Sequence, residues 1–181
     1  MTSFLKEKYE KSVKKELQKQ FGVKNVMAVP RILKVSVNSG IGKYIKEKDA
    51  IDEIFENIKV ISGQKPVFSK SKKSIAGFKI RQNQEVGVAV TLRGERMWHF
   101  LERFISSALP RVRDFRGIEK KNVDEKGNLN MAIKEQIVFP EIVPEAVKTI
   151  FGFQVNVTTS AKTREEGLEL FKLLGFPIKQ E

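Results

Sequence analysis

The sequence predicts an α+β fold, a mostly antiparallel sheet with helices packed on one face and an open polar face on the other. Three segments alternate apolar and polar residues, as half-buried strands do. Four others repeat apolar residues every three or four positions, the spacing of helices that pack on a core. Because no long flexible linker interrupts the chain, residues 1–181 are expected to form one domain.

Four helices are expected from these repeats, at residues 3–21, 47–62, 95–109 and 163–174. The first has an apolar residue at every fourth position: Leu5, Tyr9, Val13, Leu17 and Phe21. Gly63 is expected to cap the second helix, Pro110 to stop the third and Thr163 to form the N-cap of the fourth.

Four strands are expected at residues 31–38, 86–93, 131–138 and 152–159. In the first, Leu33, Val35 and Val37 are expected to face the core. The outward side chains of the first two strands are small, polar or cationic: Lys34, Ser36 and Asn38 on one, and Gly87, Ala89, Thr91 and Arg93 on the other. Residues 70–81 are expected to form a loop or hairpin tip, and residues 122–131 a turn.

The positive charge of the chain is large and unevenly distributed. The net charge is +12 and the pI about 9.8. Residues 1–117 hold 25 Lys plus Arg against 12 acids, whereas residues 118–181 hold 9 against 10. Such an excess favours a polyanionic partner, nucleic acid first and an anionic membrane surface second, bound to the first two thirds of the chain. A solvated basic surface remains the alternative interpretation.

Several classes of function are disfavoured by what the sequence lacks. It has no cysteine, no apolar run long enough to span a membrane and no signal peptide, so a reducing, cytoplasmic location is expected. GIGKY at 40–44 lacks both the first glycine and the Ser or Thr of a phosphate loop. His99 is the only histidine, and the adjacent Glu165 and Glu166 fit a helix N-terminus better than acid–base catalysis. An enzyme, a cofactor and a metal site are therefore not expected.

The predicted open face has the chemistry of a surface that binds an RNA backbone. Its small residues allow close approach, and Asn38, Thr91 and Arg93 can hydrogen-bond phosphate and 2′-hydroxyl groups. Because aromatic residues are missing from these strand faces, stacking of splayed bases is not expected. The pattern predicts recognition of the shape and backbone of a folded RNA, and an ordinary solvated sheet face remains equally consistent with it.

Five stretches share their order and spacing with one known family. They are GQKP at 63–66, KKSIAGFKIR at 72–81, VTLRGERMW at 90–98, LPRVRDFRG at 109–117 and IKEQIVFPEI at 133–142. On these motifs, which extend over nearly the whole chain, the sequence resembles the family of large-subunit ribosomal protein five in its bacterial form.

The resemblance implies a structural constituent of the large ribosomal subunit that binds 5S rRNA and helps attach it in the central protuberance. It also implies contact with the transfer RNA in the peptidyl site (the P-site tRNA) and a bridge to small-subunit ribosomal protein thirteen. 23S rRNA and other central-protuberance proteins are further implied partners, and the free protein is expected to be a monomer without membrane contact. A free-standing RNA-binding chaperone or regulator is the alternative.

The resemblance assigns three groups of site residues. rRNA binding is expected at Asn38, Gln64, Thr91 and Arg93, with Lys34 added from the strand alternation. tRNA binding is expected at Lys70, Lys72, Lys73, Ser74, Phe78, Lys79 and Arg81. Contact between the subunits is expected at Arg111, Arg113, Asp114, Phe115 and Arg116.

Two of these groups keep an alternative interpretation. Like charges crowd residues 70–81, so a mobile loop that orders on the tRNA is expected, whereas a rigid basic hairpin on 5S rRNA is the alternative. The segment 111–117 is alternatively a structural turn with Phe115 anchored in the core.

The sequence departs from the family pattern in two places. Ser39 stands where the family usually has Met, and NVDEKGNLNMAI at 122–133 replaces a turn richer in Gly and Tyr. The first change is expected to matter little, whereas the conformation of the turn is left open.

Overall fold

The computed structural model describes residues 3–45 and 47–179, and within them five strands form one antiparallel sheet. They are β1 (Ile32–Gly40), β2 (Val67–Lys70), β3 (Glu85–Leu92), β4 (Leu129–Ile133) and β5 (Phe153–Thr159). Their order across the sheet is β2-β3-β1-β5-β4, so β1 is central and pairs with both β3 and β5. With helices on its inner face, this sheet confirms the predicted α+β class.

The four predicted helices are present in the described part of the chain. α1 runs without a break through Phe4–Lys8, a π turn at Tyr9–Val13 and Lys14–Gln20, and α2 is Lys48–Ser62. α3 runs through Gly94–Arg103, a π turn at Phe104–Ala108 and Leu109–Arg111, and α4 is Arg164–Leu174. Single 3-10 turns lie at Val26–Ala28, Gly42–Tyr44, Ala76–Phe78, Lys120–Asn122, Gln136–Val138 and Pro144–Ala146.

The π turn of α1 follows from the four-residue repeat in its sequence. An α-helix needs only 3.6 residues per turn, so a stripe with a strict period of four drifts around it by roughly 40° at each step. One wider π turn offsets much of this drift. As a result all four of the first stripe residues are buried: Leu5, Tyr9, Val13 and Leu17.

The prediction that Pro110 stops the third helix is wrong, since α3 continues to Arg111. A proline normally clashes with the carbonyl four residues earlier, which here belongs to Ser106. Ser106 lies in the π turn Phe104–Ala108, where the regular hydrogen-bond ladder is already interrupted. The backbone becomes extended only at Val112.

Two strands differ from the expectation in detail. In β1, Leu33 is the extra residue of a bulge between the pairs Ile32–Thr159 and Lys34–Thr158, so Ile32 is buried and Leu33 is exposed, contrary to the prediction. The residues after the bulge alternate as expected. β2 was not predicted from sequence, because its four residues form an edge strand that is too short and too exposed to show a clear alternation.

β4 ends at Ile133 rather than at residue 138. Beyond it the chain turns, and the side chain of the fully buried Gln136 is hydrogen-bonded to the backbone of residues 149–151. Its amide nitrogen donates to the Thr149 carbonyl (2.7 Å), and its amide oxygen accepts from the Phe151 backbone N–H (2.9 Å). Both polar ends of the side chain are thereby satisfied in the interior.

The core lies between the helices and the inner face of the sheet. The inward residues of β1, β3 and β5 are buried there, as predicted: Val35, Val37, Val88, Val90, Leu92, Phe153, Val155 and Val157. Phe100 and Phe104 of α3 and Phe139 form a cluster of three rings, with centroids 5.9–6.3 Å apart. The opposite face of the sheet carries the polar half of each alternation.

Candidate RNA-binding surface

The open face is built from rows of residues that lie side by side on neighbouring strands. One row is Val67, Ala89, Asn38, Gln154 and Ala132, which runs across all five strands. The next row is Thr91, Ser36, Asn156 and Asn130. Directly opposed side chains in such rows lie about 4.5–5.5 Å apart at Cβ. The central rows therefore form a nearly continuous field of small and amide side chains.

Four of the five expected rRNA-binding residues meet at one end of this face. Gln64 follows the left-handed cap Gly63 of α2, and its side-chain nitrogen donates to the Thr91 carbonyl at 3.2 Å. Arg93 is the extended, exposed residue before α3. Lys34 comes one residue before the pair Val35–Leu92, which is the last pair of β1 with β3 at this end.

Asn38, the fifth residue, lies further along β1 and is exposed. It is paired with Ala89 on one side and Gln154 on the other. A methyl group on Gly87 would come within 3.2 Å of the Ser39 carbonyl oxygen and 3.6 Å of the Asn38 side-chain oxygen. The glycine thus keeps open the space beside the Asn38 amide.

Several further residues of this surface are not among the five expected rRNA-binding residues. They are Ser36 on β1, Asn130 on β4 and Gln154, Asn156 and Thr158 on β5. Alternation alone showed that the three β5 side chains point outward, but it could not show that β5 pairs with β1. The side-chain oxygen of Asn156 is buried without a hydrogen-bond partner, the one such atom found on the outward sheet positions among the described residues.

Residues 71–81 form the tip of the hairpin between β2 and β3, as expected, whereas Lys70 is the last residue of β2. Ile75 and Ile80 exchange backbone hydrogen bonds of 2.9 and 3.2 Å around the turn Ala76–Phe78. At the base, the Ser71 N–H donates to Gln84 and its carbonyl accepts from Asn83. The expected mobility of this tip stays a prediction.

The tip is strongly exposed and basic. The Phe78 side chain is 74% exposed. An aromatic ring this exposed forgoes the free energy of burial, which is typical of a surface that binds a partner. Its neighbour Lys79 adopts a left-handed conformation (φ 54°) that closes the turn. Exposed around them are the other expected tRNA-binding residues: Lys70, Lys72, Lys73, Ser74 and Arg81.

The segment 111–116 lies at the opposite edge of the sheet, beside β4. Its three arginines and Asp114 are exposed, whereas Phe115 is half-buried and packs against the core. A groove of about 600 Å³ separates it from the open face. Among the residues that line this groove are Arg113, Phe115, Arg116, Asn130, Ala132 and Gln154.

The cations of all three regions are free to meet a polyanion. Within residues 3–45 and 47–179, none of the following is in a salt bridge: Lys34, Lys70, Lys72, Lys73, Lys79, Arg81, Arg93, Arg111, Arg113 and Arg116. The salt bridges that are present lie elsewhere, chiefly on the helices. Binding an anion at these ten positions would therefore break no internal ion pair.

The divergent turn at 122–131 has a definite conformation. The Asp124 carboxylate accepts hydrogen bonds from the backbone N–H groups of Lys126 (2.9 Å) and Asn128 (2.7 Å) and from the Asn128 amide (2.9 Å). Burial opposes ionisation of this carboxyl, but these hydrogen bonds outweigh it and lower the pKa of Asp124. The turn left open by the sequence is therefore a hairpin turn between Val123 and Leu129, closed by the Asp124 side chain.

Neither a metal centre nor a membrane-spanning helix is found in the described ranges. No group of three His, Cys, Asp or Glu side chains there is arranged to hold an ion. No helix there is both long and apolar enough to cross a membrane.

Comparison with known proteins gives consistent results over both halves of the chain. A family model described as Ribosomal protein L5 matches residues 25–81, and one described as ribosomal L5P family C-terminus matches residues 85–178. The chain is 50% identical over 173 residues to the large ribosomal subunit protein uL5 of Colwellia psychrerythraea, covering 96% of each chain. It is 49% identical over 179 residues to the protein of the same name from Cupriavidus metallidurans, covering 99% of each.

Proposed function

Because the chain belongs to the ribosomal L5 family and is a structural constituent of the large ribosomal subunit, we propose that it binds 5S rRNA through the open face of its sheet. In doing so it helps attach this RNA in the central protuberance, next to 23S rRNA and other proteins. Family membership confirms the expected ribosomal location and the expectation that the chain is not an enzyme.

The observation that carries the proposal is the meeting of Gln64, Thr91 and Arg93 at one end of a smooth polar sheet. The hydrogen bond from Gln64 to the Thr91 carbonyl fixes the amide beside the strand. Arg93 adds an unpaired guanidinium that can hold a phosphate by two hydrogen bonds. Small side chains over the rest of the face let an RNA backbone approach closely.

The tip 70–81 is proposed to contact the P-site tRNA. It extends beyond the sheet and carries four cations, Lys72, Lys73, Lys79 and Arg81, with a fifth, Lys70, at the end of β2. Phe78 at its end supplies an apolar surface for a ribose or a base. The charges would supply affinity without sequence preference, which suits a protein that must accept many different tRNAs.

The segment 111–116 is proposed to face the small subunit and to bridge to its protein thirteen. Its arginines are exposed at the edge of the sheet far from β2, so they can engage a partner while the open face holds RNA. Phe115 and Val112 pack against the core and keep the segment attached to the body.

The open-face assignment is tested by filter binding of 5S rRNA to variants that retain the fold. Arg93→Ala and Thr91→Ala should each weaken binding, the former by roughly 1.5–3 kcal/mol because it removes a charged hydrogen bond. Lys148→Ala is the matched control. It also removes an exposed cation, but from residues 118–181, which carry no excess of positive charge. Normal affinity of both open-face variants would reject the assignment. Stoichiometric co-sedimentation with large subunits would separate this function from that of a free-standing RNA chaperone.

A further inference from the structure

The C-terminal tail, residues 176–179, lies beside the stretch that follows the arginine-rich segment 111–116. The Ile118 N–H donates to the Pro177 carbonyl at 2.7 Å, and the Lys179 N–H donates to the Ile118 carbonyl at 2.9 Å. Ile118 and Ile178 thereby form a parallel β-bridge between regions some sixty residues apart in sequence. This bridge belongs neither to the main sheet nor to the open face.

The tail is itself fixed to the body of the protein. α4 ends at Gly175, whose left-handed conformation (φ 101°) turns the chain back. The Phe176 N–H then donates to the Phe171 carbonyl at 3.0 Å. The Phe176 ring is buried and meets the Phe171 ring edge-on at 5.1 Å. The position of residues 177–179 is therefore set by α4.

Val112 and Phe115 pack their side chains against the core, but the backbone of the arginine-rich segment makes few other hydrogen bonds. Its own backbone hydrogen bonds are local, from Val112 to Leu109 and from Phe115 to Val112. Asp114 adopts a left-handed conformation (φ 54°), which aspartate tolerates better than most residues with a side chain. Within the described residues, the tail is the one distant part of the chain that shares backbone hydrogen bonds with residues 112–119.

At Gly117 the segment that ends at residue 118 approaches the C-terminal tail closely. Its φ of 95° lies in the region that favours glycine. A methyl group there would lie 3.1 Å from the Pro177 carbonyl oxygen and 3.2 Å from the Lys179 side chain. A larger residue at position 117 would therefore be strained by its backbone conformation and would press on the tail.

We propose that residues 177–179 are a positioning strand that holds the segment 111–116 in the geometry needed for contact with the small subunit. The inference rests on the proposed function, in which that segment faces the small subunit. The tail acts through Ile118 and Gly117, by fixing the end of a short segment whose other end is fixed by α3. A segment tied at both ends loses less conformational entropy when its arginines engage a partner.

The test removes one hydrogen-bond donor of the bridge and keeps the rest of the chain. Lys179→Pro deletes the N–H that donates to Ile118, while Lys179→Ala removes the same charge and keeps that N–H. In the proline variant, tryptic cleavage after Arg113 and Arg116 should be about fivefold faster than in the alanine control, equivalent to roughly 1 kcal/mol for one backbone hydrogen bond. Subunit joining should slow in parallel, while 5S rRNA binding stays normal in both variants.

Gly117→Ala provides a second variant that disturbs the same bridge from the other side, and it should have the same pair of effects. Cleavage equal to that of the alanine control would overturn the inference. Faster cleavage with normal joining would also overturn it. Arg113→Glu then tests the proposed intersubunit role of segment 111–116 separately from the positioning role of the tail. Slow subunit joining of this variant would support the intersubunit role, whereas normal joining would reject it as well.

Discussion

The side-chain nitrogen of Gln64 donates a hydrogen bond to the backbone carbonyl of Thr91, 3.2 Å away across the end of the sheet. Thr91 lies near the end of β3, and Gln64 comes directly after the cap of α2. The bond therefore joins a helix end to a strand end and fixes the rim of the open face. The bond uses only the backbone of Thr91, whose side chain is exposed, so the hydroxyl is accessible to a ligand.

Gln64→Glu should weaken 5S rRNA binding more than Gln64→Ala. Both variants lose the donor to Thr91, but the glutamate also places a negative charge where the RNA backbone is expected. A loss of about tenfold, or roughly 1.4 kcal/mol, is expected for the glutamate relative to the alanine. Filter binding at fixed salt measures the difference, and equal affinities would mean that Gln64 does not face the RNA.

The affinity for 5S rRNA should fall steeply with salt, because unpaired cations release counterions from the RNA. A slope of log affinity against log salt of roughly −3 to −6 is expected from several phosphate contacts. Arg93→Ala should reduce the magnitude of this slope by about one. Thr91→Ala should lower the affinity and leave the slope unchanged, because it removes no charge. A nearly flat slope in the unmodified protein would contradict an electrostatic interface.

Local patterns predicted much of the fold and singled out four of the five proposed rRNA-binding residues, all except Gln64. Alternation placed Asn38 and Thr91 on the outer face because a strand has a strict period of two. The same rule failed at Leu33, where a bulge adds one residue and shifts every position before it. The predicted helix end at Pro110 was wrong because a π turn precedes the proline. Helix propensity does not predict such a turn.

The extent of the open face could not be predicted, because it depends on which strands are neighbours. Gln154 and Asn156 belong to the surface only because β5 pairs with β1 over a separation of more than a hundred residues. Gln64 lies in an irregular stretch whose contact with Thr91 is a tertiary one, and the family resemblance alone indicated it.

The Asp124 turn should contribute stability that depends on pH. Its hydrogen bonds lower the pKa of Asp124 in the folded protein, below the value of about 3.9 in an unfolded chain. The contribution is therefore fully present above pH 4 and is lost as the pH falls through the folded pKa. At neutral pH, Asp124→Ala should lower the free energy of unfolding by about 1–2 kcal/mol. Urea titrations should show the gap between variant and parent closing in acid, whereas Glu125→Ala, the exposed neighbour, should show little effect at any pH.

The chain should unfold as one domain. β1, which belongs to the first half of the sequence, lies between β3 and β5, so neither half can complete the sheet alone. Denaturation followed by far-ultraviolet circular dichroism and by fluorescence of the single, buried Trp98 should give coincident transitions. Two separated transitions would indicate two independent units.

Residues 70–81 should be the first region of the free protein cut by trypsin. The tip has many exposed lysines, and its hydrogen bonds lie almost entirely within itself, as between Ile75 and Ile80. Such a segment can open without disturbing the core. Trypsin should therefore cut there before it cuts the equally exposed Lys121, which lies close to the buried Val123. Resistance of the tip in the free protein would favour a rigid hairpin.

Occupancy of the P site should then protect the same tip. Ribosomes that carry a P-site tRNA should be cut within 70–81 more slowly than empty ribosomes, because Phe78 and Lys79 become covered. Deleting residues 73–79 should leave 5S rRNA binding nearly intact, since the open face begins beyond the base of the hairpin at Ser71 and Asn83. The deletion should nevertheless speed release of P-site tRNA. If it instead lowers 5S rRNA affinity and leaves tRNA release unchanged, the tip binds 5S rRNA and the proposed tRNA contact is wrong.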